Sequence, residues 1–206
     1  ANPTPASGFA HGASGIIWAL YEIYAITEQT VFKEVAEKAL EFERTLFIPE
    51  KNNWADIKLE NGQFRNDNFV AWCNGAAGIG LGRILILPHN QNELIKDEAH
   101  VAINTTLKYG FENDHSLCHG DLGNLDILMY AAENFNKKLS VNVTELSHKI
   151  LNDIKLRGWL TGFEKNNESP SLMMGYAGIG LGLLKIFAPT EVPSVLRLQS
   201  PLELKL

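Results

Sequence analysis

His119-Gly120-Asp121-Leu122-Gly123-Asn124 is one of four short stretches of this chain that share a pattern. The others are His11-Gly12-Ala13-Ser14-Gly15-Ile16, Asn74-Gly75-Ala76-Ala77-Gly78-Ile79 and Met174-Gly175-Tyr176-Ala177-Gly178-Ile179. Each is G-x-x-G opening an apolar stretch. The first glycines, at 12, 75, 120 and 175, lie 63, 45 and 55 residues apart. Periods of that length hold a helix pair and a connection of variable size, so the chain reads as a repeat of supersecondary units.

A helical window follows each motif, at 15–27, 77–87, 121–134 and 177–187. The second and fourth have few polar positions, and helices apolar nearly all round are expected to be buried on most sides. Between them lie amphipathic windows. The clearest is 31–47, with Phe32, Val35, Ala36, Ala39 and Leu40 at helical spacing and Lys33, Glu34, Glu37 and Lys38 opposite. Windows 91–109, through Leu94, Ile95, Val101 and Ala102, and 143–157, through Leu146, Ile150 and Ile154, read the same way. Strand signals are weak, and Ile57-Lys58-Leu59 before Asn61-Gly62 predicts one small hairpin. Loops are expected at 48–66, 110–118 and 160–175, and Pro193 and Pro201 break any helix after Pro189. The fold class is therefore all-α, with inner and outer helices alternating in an α/α barrel or an α-solenoid. A G-x-x-G at a helix start permits close backbone approach and positive φ, and leaves free N–H groups facing whatever the loop holds. In a ring all four motifs meet at one end, whereas a solenoid spreads them along a groove.

At 206 residues the chain is long enough for a core without staples. With 45% hydrophobic and 20% charged residues, it is neither disordered nor collagen-like. A formal charge of -6 is the wrong sign for gripping phosphate backbones, so no nucleic acid is expected as a partner. No apolar run approaches the roughly 20 residues of a membrane span, and Ala1–Gly12 lacks the basic and apolar regions of a signal peptide. Membrane association is therefore not indicated, and a soluble, cytoplasmic chain is expected. Two cysteines suit a reducing compartment in which thiols serve as ligands or nucleophiles. The first residue, Ala1 and not Met, suggests a piece of something longer.

Cys73 and Cys118 are the chain's two cysteines, and each lies two residues before the first glycine of a motif. A single cysteine usually reads as a small buried hydrophobe. If the repeats converge, however, both sulfurs gather with His119 into a Cys2His set. Such a set leaves tetrahedral zinc one open position, as catalytic sites do, and its soft ligands select zinc over magnesium or calcium. His11 holds the His119 position in the first repeat but follows Ala10, which suits an acid or base better than a second metal site. His89, His100, His115 and His148 lie outside the motifs and read as solvated. Asp121 reads as complementing the helix dipole, while Arg83 either faces the cavity or pairs with a carboxylate. Zinc with two thiolates and a neutral imidazole carries no formal charge, so it suits holding a third thiol ionised better than activating water. An unperturbed cysteine is roughly 3% ionised at pH 7, so full ionisation gains at most about 30-fold, or ~2 kcal/mol. Orientation of the sulfur and a proton donor for the resulting carbanion must supply the rest, and His11 is the available donor.

Gly8-Phe9-Ala10-His11-Gly12-Ala13-Ser14-Gly15, Trp72-Cys73-Asn74-Gly75-Ala76-Ala77-Gly78-Ile79, Cys118-His119-Gly120-Asp121-Leu122-Gly123-Asn124 and Gly175-Tyr176-Ala177-Gly178-Ile179-Gly180 resemble the motifs of lanthionine synthetase C-like cyclases. Val192-Pro193-Ser194-Val195-Leu196 resembles the end of class II (LanM-type) lanthipeptide synthetases. The resemblance implies that residues 1–206 are the C-terminal part of a cyclase domain and the later part of an α/α toroid. It implies zinc held by Cys73, Cys118 and His119, activating a cysteine thiol of a precursor peptide. The thiol adds to dehydroalanine or dehydrobutyrine and gives lanthionine or methyllanthionine, with His11 protonating the enolate. A family aspartate of an earlier repeat has no counterpart here. Association with the remaining part of the synthetase, or with another copy, is expected, since large apolar patches seldom stay bare. Two other readings are a non-catalytic zinc-containing module that binds a peptide or thiol, and an α/α-barrel hydrolase. The hydrolase wants paired carboxylates, of which the motifs supply only Asp121.

Overall fold

Glu28 takes a left-handed conformation and its N–H bonds to the Tyr24 carbonyl, which closes α1 (Ala13–Thr27) and turns the chain directly into α2 (Thr30–Arg44). The computed structural model describes residues 5–164 and 168–200. It divides into two compact units, Ala1–Tyr109 and Gly110–Leu206.

The first unit is two helix pairs. The helix α1 packs on α2 and on α3 (Ala76–Ile86), and α3 packs on α4 (Glu93–Tyr109). Glycines 78, 80 and 82 let α3 lie close to its neighbours, and the helix is buried on nearly every face, as its composition predicts. The shared core is Ala13, Ile17, Tyr21, Ala36, Leu40, Ile86 and Ile95. A fully buried Leu or Ile contributes about 1.5–3 kcal/mol, so this small cluster is a large share of what holds the pairs together.

On α2 the inward stripe is Ala36, Leu40 and Glu43. Val35, expected inside, is 46% exposed, and Leu94 on α4 is likewise exposed. The place at the end of the α2 stripe goes to a carboxylate because its charge is matched. Glu43 accepts from Arg83 Nη1 at 2.8 Å, and Arg83 Nε donates to Glu98 at 2.6 Å. Arg83 therefore pairs with carboxylates, the second of its two sequence readings. Burial works against its charge, but the two glutamates outweigh it and hold the guanidinium above its usual value.

The structure ends α2 at Arg44 and not at 47. Pro49 disfavours the helical region for Ile48, and Phe47 instead pairs as a strand residue with Trp54, ring to ring at 4.6 Å. Two short antiparallel pairs thus occupy the segment read as loop: β1 (Phe47–Ile48) with β2 (Asn53–Trp54), and β3 (Ile57–Lys58) with β4 (Phe64–Arg65). The second pair is the predicted hairpin around Asn61-Gly62.

In the second unit α5 (Asp121–Asn134) packs on α6 (Leu139–Arg157) and on α7 (Tyr176–Phe187). The helix α6 starts four residues earlier than its apolar pattern indicates and stops at Gly158, which has a φ of 79°. The tail is clasped to the helices by polar contacts. Lys185 Nζ donates to the Pro189 and Val192 carbonyls, and Ser194 Oγ donates to Asp126 Oδ2 at 2.5 Å. The expected all-round burial of α7 is not met: Leu184 and Phe187 are exposed, the latter at 89%. Its apolar sequence exceeds the one side that α5 and the tail cover. Pro201 lies outside the described residues. Among the described residues no helix is long and apolar enough to cross a membrane.

Candidate metal centre

The segment before each motif folds back over the start of its helix. Donors at helix starts reach carbonyls seven residues earlier: Ala13 to Ala6, Gly78 to Ala71, Asp121 to Asp114 and Tyr176 to Ser169. At each of these N-termini at least one of the free N–H groups is therefore satisfied by the preceding loop. The second glycine of each motif makes this possible. A Cβ on Gly78 would collide with the Trp72 carbonyl, and one on Gly123 with the Leu117 carbonyl, both six residues back. Among the first glycines of the motifs, Gly75 alone has positive φ, at 82°. At the other three the requirement is close approach.

In the first unit this loop carries Cys73, a buried thiol outside any disulfide. The Ala71 N–H donates to the Asn74 carbonyl, and Val70 bridges Gly75, so the cysteine sits in a tight turn. Asn53 fastens that turn from β2. Its Nδ2 donates to the Asp67 and Phe69 carbonyls, and its Oδ1 accepts the N–H of Ala76 at the start of α3. The turn holding His11 lies against it. A Cβ on Gly8, whose φ is 103°, would strike the Cys73 carbonyl, and Asn74 Nδ2 donates to the Ser7 carbonyl at 3.4 Å. Glu43 Oε1 accepts the Gly8 N–H at 3.2 Å, tying the His11 turn to the buried Arg83 pair. His11 itself is exposed. Phe9 stacks on Trp18 at 5.7 Å and tilts against Trp72 at 6.0 Å, an aromatic wall on the same turn.

In the second unit the equivalent loop carries Cys118 and His119. The N–H groups of Leu117 and Cys118 both donate to the Met173 carbonyl, at 3.1 and 2.8 Å. His119 Nε2 lies 3.2 Å from the Gly162 carbonyl oxygen and 3.5 Å from Asp114 Oδ2. The imidazole is held above its usual pKa, chiefly by a hydrogen bond with Cys118 and also by the Asp114 charge and the Gly162 carbonyl, against burial. Asp121 caps the backbone and does more than answer a dipole: its carboxylate accepts the N–H groups of Glu112 and Asn113. Burial nevertheless pushes it up to about 6.

His115, read as solvated, is fully buried. Its ring accepts the Leu160 N–H at Nδ1 and faces Asp153 at Nε2, 2.9 Å away, and these two partners satisfy both nitrogens of the imidazole. His100 and His148 are exposed and His89 half-buried. Glu43, Asn53, Asp114 and Gly162 escaped the sequence reading. Asp114 carried a signal, since it stands six residues before a motif glycine, where Phe69 and Ser169 stand in their repeats. Gly162 lies in a segment with no motif and carried none.

Residues 2–197 match the family model described as lanthionine synthetase C-like protein. The chain is 29% identical over 196 residues to the lacticin 481/lactococcin biosynthesis protein LcnDR2 of Lactococcus lactis subsp. lactis, covering 87% of this chain and 20% of that protein. It superposes on the solved structure of nisin cyclase with a TM-score of 0.71 at 20% identity, covering 90% of this chain and 47% of that one. The Lin0763 protein from Listeria innocua gives 0.61 at 19% identity, with 89% and 59% covered. The structural likeness shows the fold, the α/α toroid. The chain spans a fifth of the curated relative and about half of nisin cyclase.

Proposed function

Since this chain belongs to the lanthionine synthetase C-like family, we propose that it is the cyclase part of a class II lanthipeptide synthetase, closing thioether rings in a dehydrated precursor peptide. Zinc is proposed as the cofactor, with Cys73, Cys118 and His119 as its ligands. One observation carries this. The two thiols occupy the same place in their repeats, two residues before a helix-opening glycine, each on a loop that hydrogen bonds fix in its own unit. The donor set fits zinc: two thiols plus an imidazole whose Nε2 faces the Gly162 carbonyl.

When bound, zinc supplies the means of keeping a substrate cysteine thiol ionised at neutral pH. The chain's own residues do the rest. The sulfur adds to Cβ of dehydroalanine or dehydrobutyrine, the C=C electron pair moves to the enolate, and His11 delivers a proton to Cα. Exposure suits His11 to exchange protons with solvent after each turnover, and the Glu43 bond to Gly8 holds its turn beside Cys73. The exposed apolar residues Ile16 and Ile26 on α1, and Leu184 and Phe187 on α7, support association with the remaining part of the synthetase.

The deciding experiment is metal analysis of the unaltered chain and of Cys73→Ala and Cys118→Ala. Stoichiometric zinc is expected in the first and its loss in both variants; zinc kept by both variants overturns the ligand set. Ring closure leaves the mass unchanged, so it is followed by thiol alkylation. His11→Ala is expected to keep zinc and slow closure by about 10²- to 10⁴-fold, the usual worth of a positioned proton donor. Closure at an unchanged rate removes His11 from the mechanism.

A further inference from the structure

The His119 ring offers two nitrogens, and the second unit gives one of them a fixed partner. Nε2 faces the Gly162 carbonyl oxygen at 3.2 Å and the Asp114 carboxylate at 3.5 Å. Both of those groups accept, so the nitrogen facing them is the one that carries hydrogen. Each ring nitrogen has a single in-plane direction for a hydrogen bond. With the Nε2 direction used, a metal held by this ring is met at Nδ1.

We infer that Asp114 and the Gly162 carbonyl are a positioning pair that locks His119 as the Nε2–H tautomer and turns Nδ1 toward the metal. The inference rests on the zinc reading above for its purpose, although the geometry of the pair stands without it. A ligating histidine that donates its other N–H to a carbonyl or carboxylate is fixed in orientation and made a better donor to the metal.

Both members of the pair are held by the backbone. Asp114 Oδ1 accepts the Ser116 N–H at 2.7 Å, and the Asp114 carbonyl accepts the N–H of Asp121 at the start of α5. The Gly162 N–H donates to the Met174 carbonyl at 2.8 Å. Two residues earlier the same segment is pinned to His115, whose N–H donates to the Leu160 carbonyl while its Nδ1 accepts the Leu160 N–H. His115 Nε2 is seated against Asp153, which Arg157 grips through two nitrogens. The buried His115 thus sets the segment that sets the His119 ring. Glycine at 162 is required by contact: a Cβ there would lie 2.7 Å from His119 Nε2 and 2.9 Å from Ser116 Oγ. Any side chain must push the ring off the carbonyl.

The test is long-range 1H–15N correlation on histidine-labelled chain near pH 8.5, without metal and with one equivalent of zinc. His119 is expected as the Nε2–H form in both samples, with Nδ1 the nitrogen that shifts on adding zinc. Gly162→Ala is expected to mix the tautomers. Asp114→Asn, which keeps an acceptor for Ser116, is expected to lower zinc affinity at least 10-fold in chelator competition at an unchanged melting temperature. Asp114→Glu is expected to recover part of that loss. An Nδ1–H tautomer in the metal-free chain, or zinc on Nε2, overturns the inference. If the chain takes up no zinc, the functional reading falls, and the metal-free spectrum alone still decides between the tautomers.

Discussion

Arg83 is fully buried between two carboxylates, and replacing it by methionine isolates the worth of that arrangement. In Arg83→Met, Glu98 keeps Arg44, whose Nε lies 2.5 Å from its other oxygen. Among the described residues Glu43 keeps the Ser14 hydroxyl and the Gly8 N–H and has no other ion-pair partner. Breaking a buried pair from one side costs about 3–5 kcal/mol, a large part of the roughly 5–15 kcal/mol that holds a domain folded. Arg83 Nη2 has no hydrogen-bond partner among the described residues, a cost that methionine removes. Arg83→Met/Glu43→Leu is therefore expected to be more stable than Arg83→Met at pH 8, although it carries one more substitution. Urea unfolding followed by the fluorescence of Trp18, Trp54 and Trp72 measures all three proteins. A single variant that loses less than about 1 kcal/mol, or a double variant less stable than the single at pH 8, refutes the account of a charge stranded by its partner's removal.

Gly123→Ala is expected to cost about 1–3 kcal/mol, because the added methyl must displace the Leu117 carbonyl, and to lower zinc occupancy by moving Cys118 with it. Unchanged melting and full zinc content count against that coupling. Burial, partly offset by the Ser194 hydroxyl and the charge on Lys185, raises the Asp126 carboxyl above its usual range. The folded state therefore favours its protonated form, and its contribution is complete below about pH 4 and lost as pH climbs through the raised value. In Asp126→Asn the melting temperature is expected to vary less between pH 4 and 7 than in the unaltered chain. Parallel profiles remove Asp126 from the pH response.

What periodicity revealed and what it missed have one physical boundary. Helix positions were legible because each helix needs an apolar face and each G-x-x-G needs its carbonyls six residues back, both requirements satisfied locally. The window 121–134 coincides with α5, and 177–187 differs from α7 by one residue. Glu43 and His115 were not legible, since each is buried by a partner far along the chain: Arg83, forty residues on, and Leu160, forty-five on. No apolar count distinguishes a glutamate that will meet an arginine from one that will meet water, which is why Val35 looked like the core residue and Glu43 did not. The motif's N–H groups were expected to face whatever the loop holds; some of them bind the preceding loop itself, and that loop holds Cys73 in one unit and Cys118 with His119 in the other. The glycines and the cysteines are thus parts of one device. Removing two Cβ atoms lets six residues of backbone lie against a helix start, and backbone bonds of Ala71 and Asn74 in one unit and of Leu117 and Cys118 in the other fix the loop there. The loop that the glycines admit is thus the one that carries the thiols, and for that reason a change at either glycine is a change at the proposed ligands.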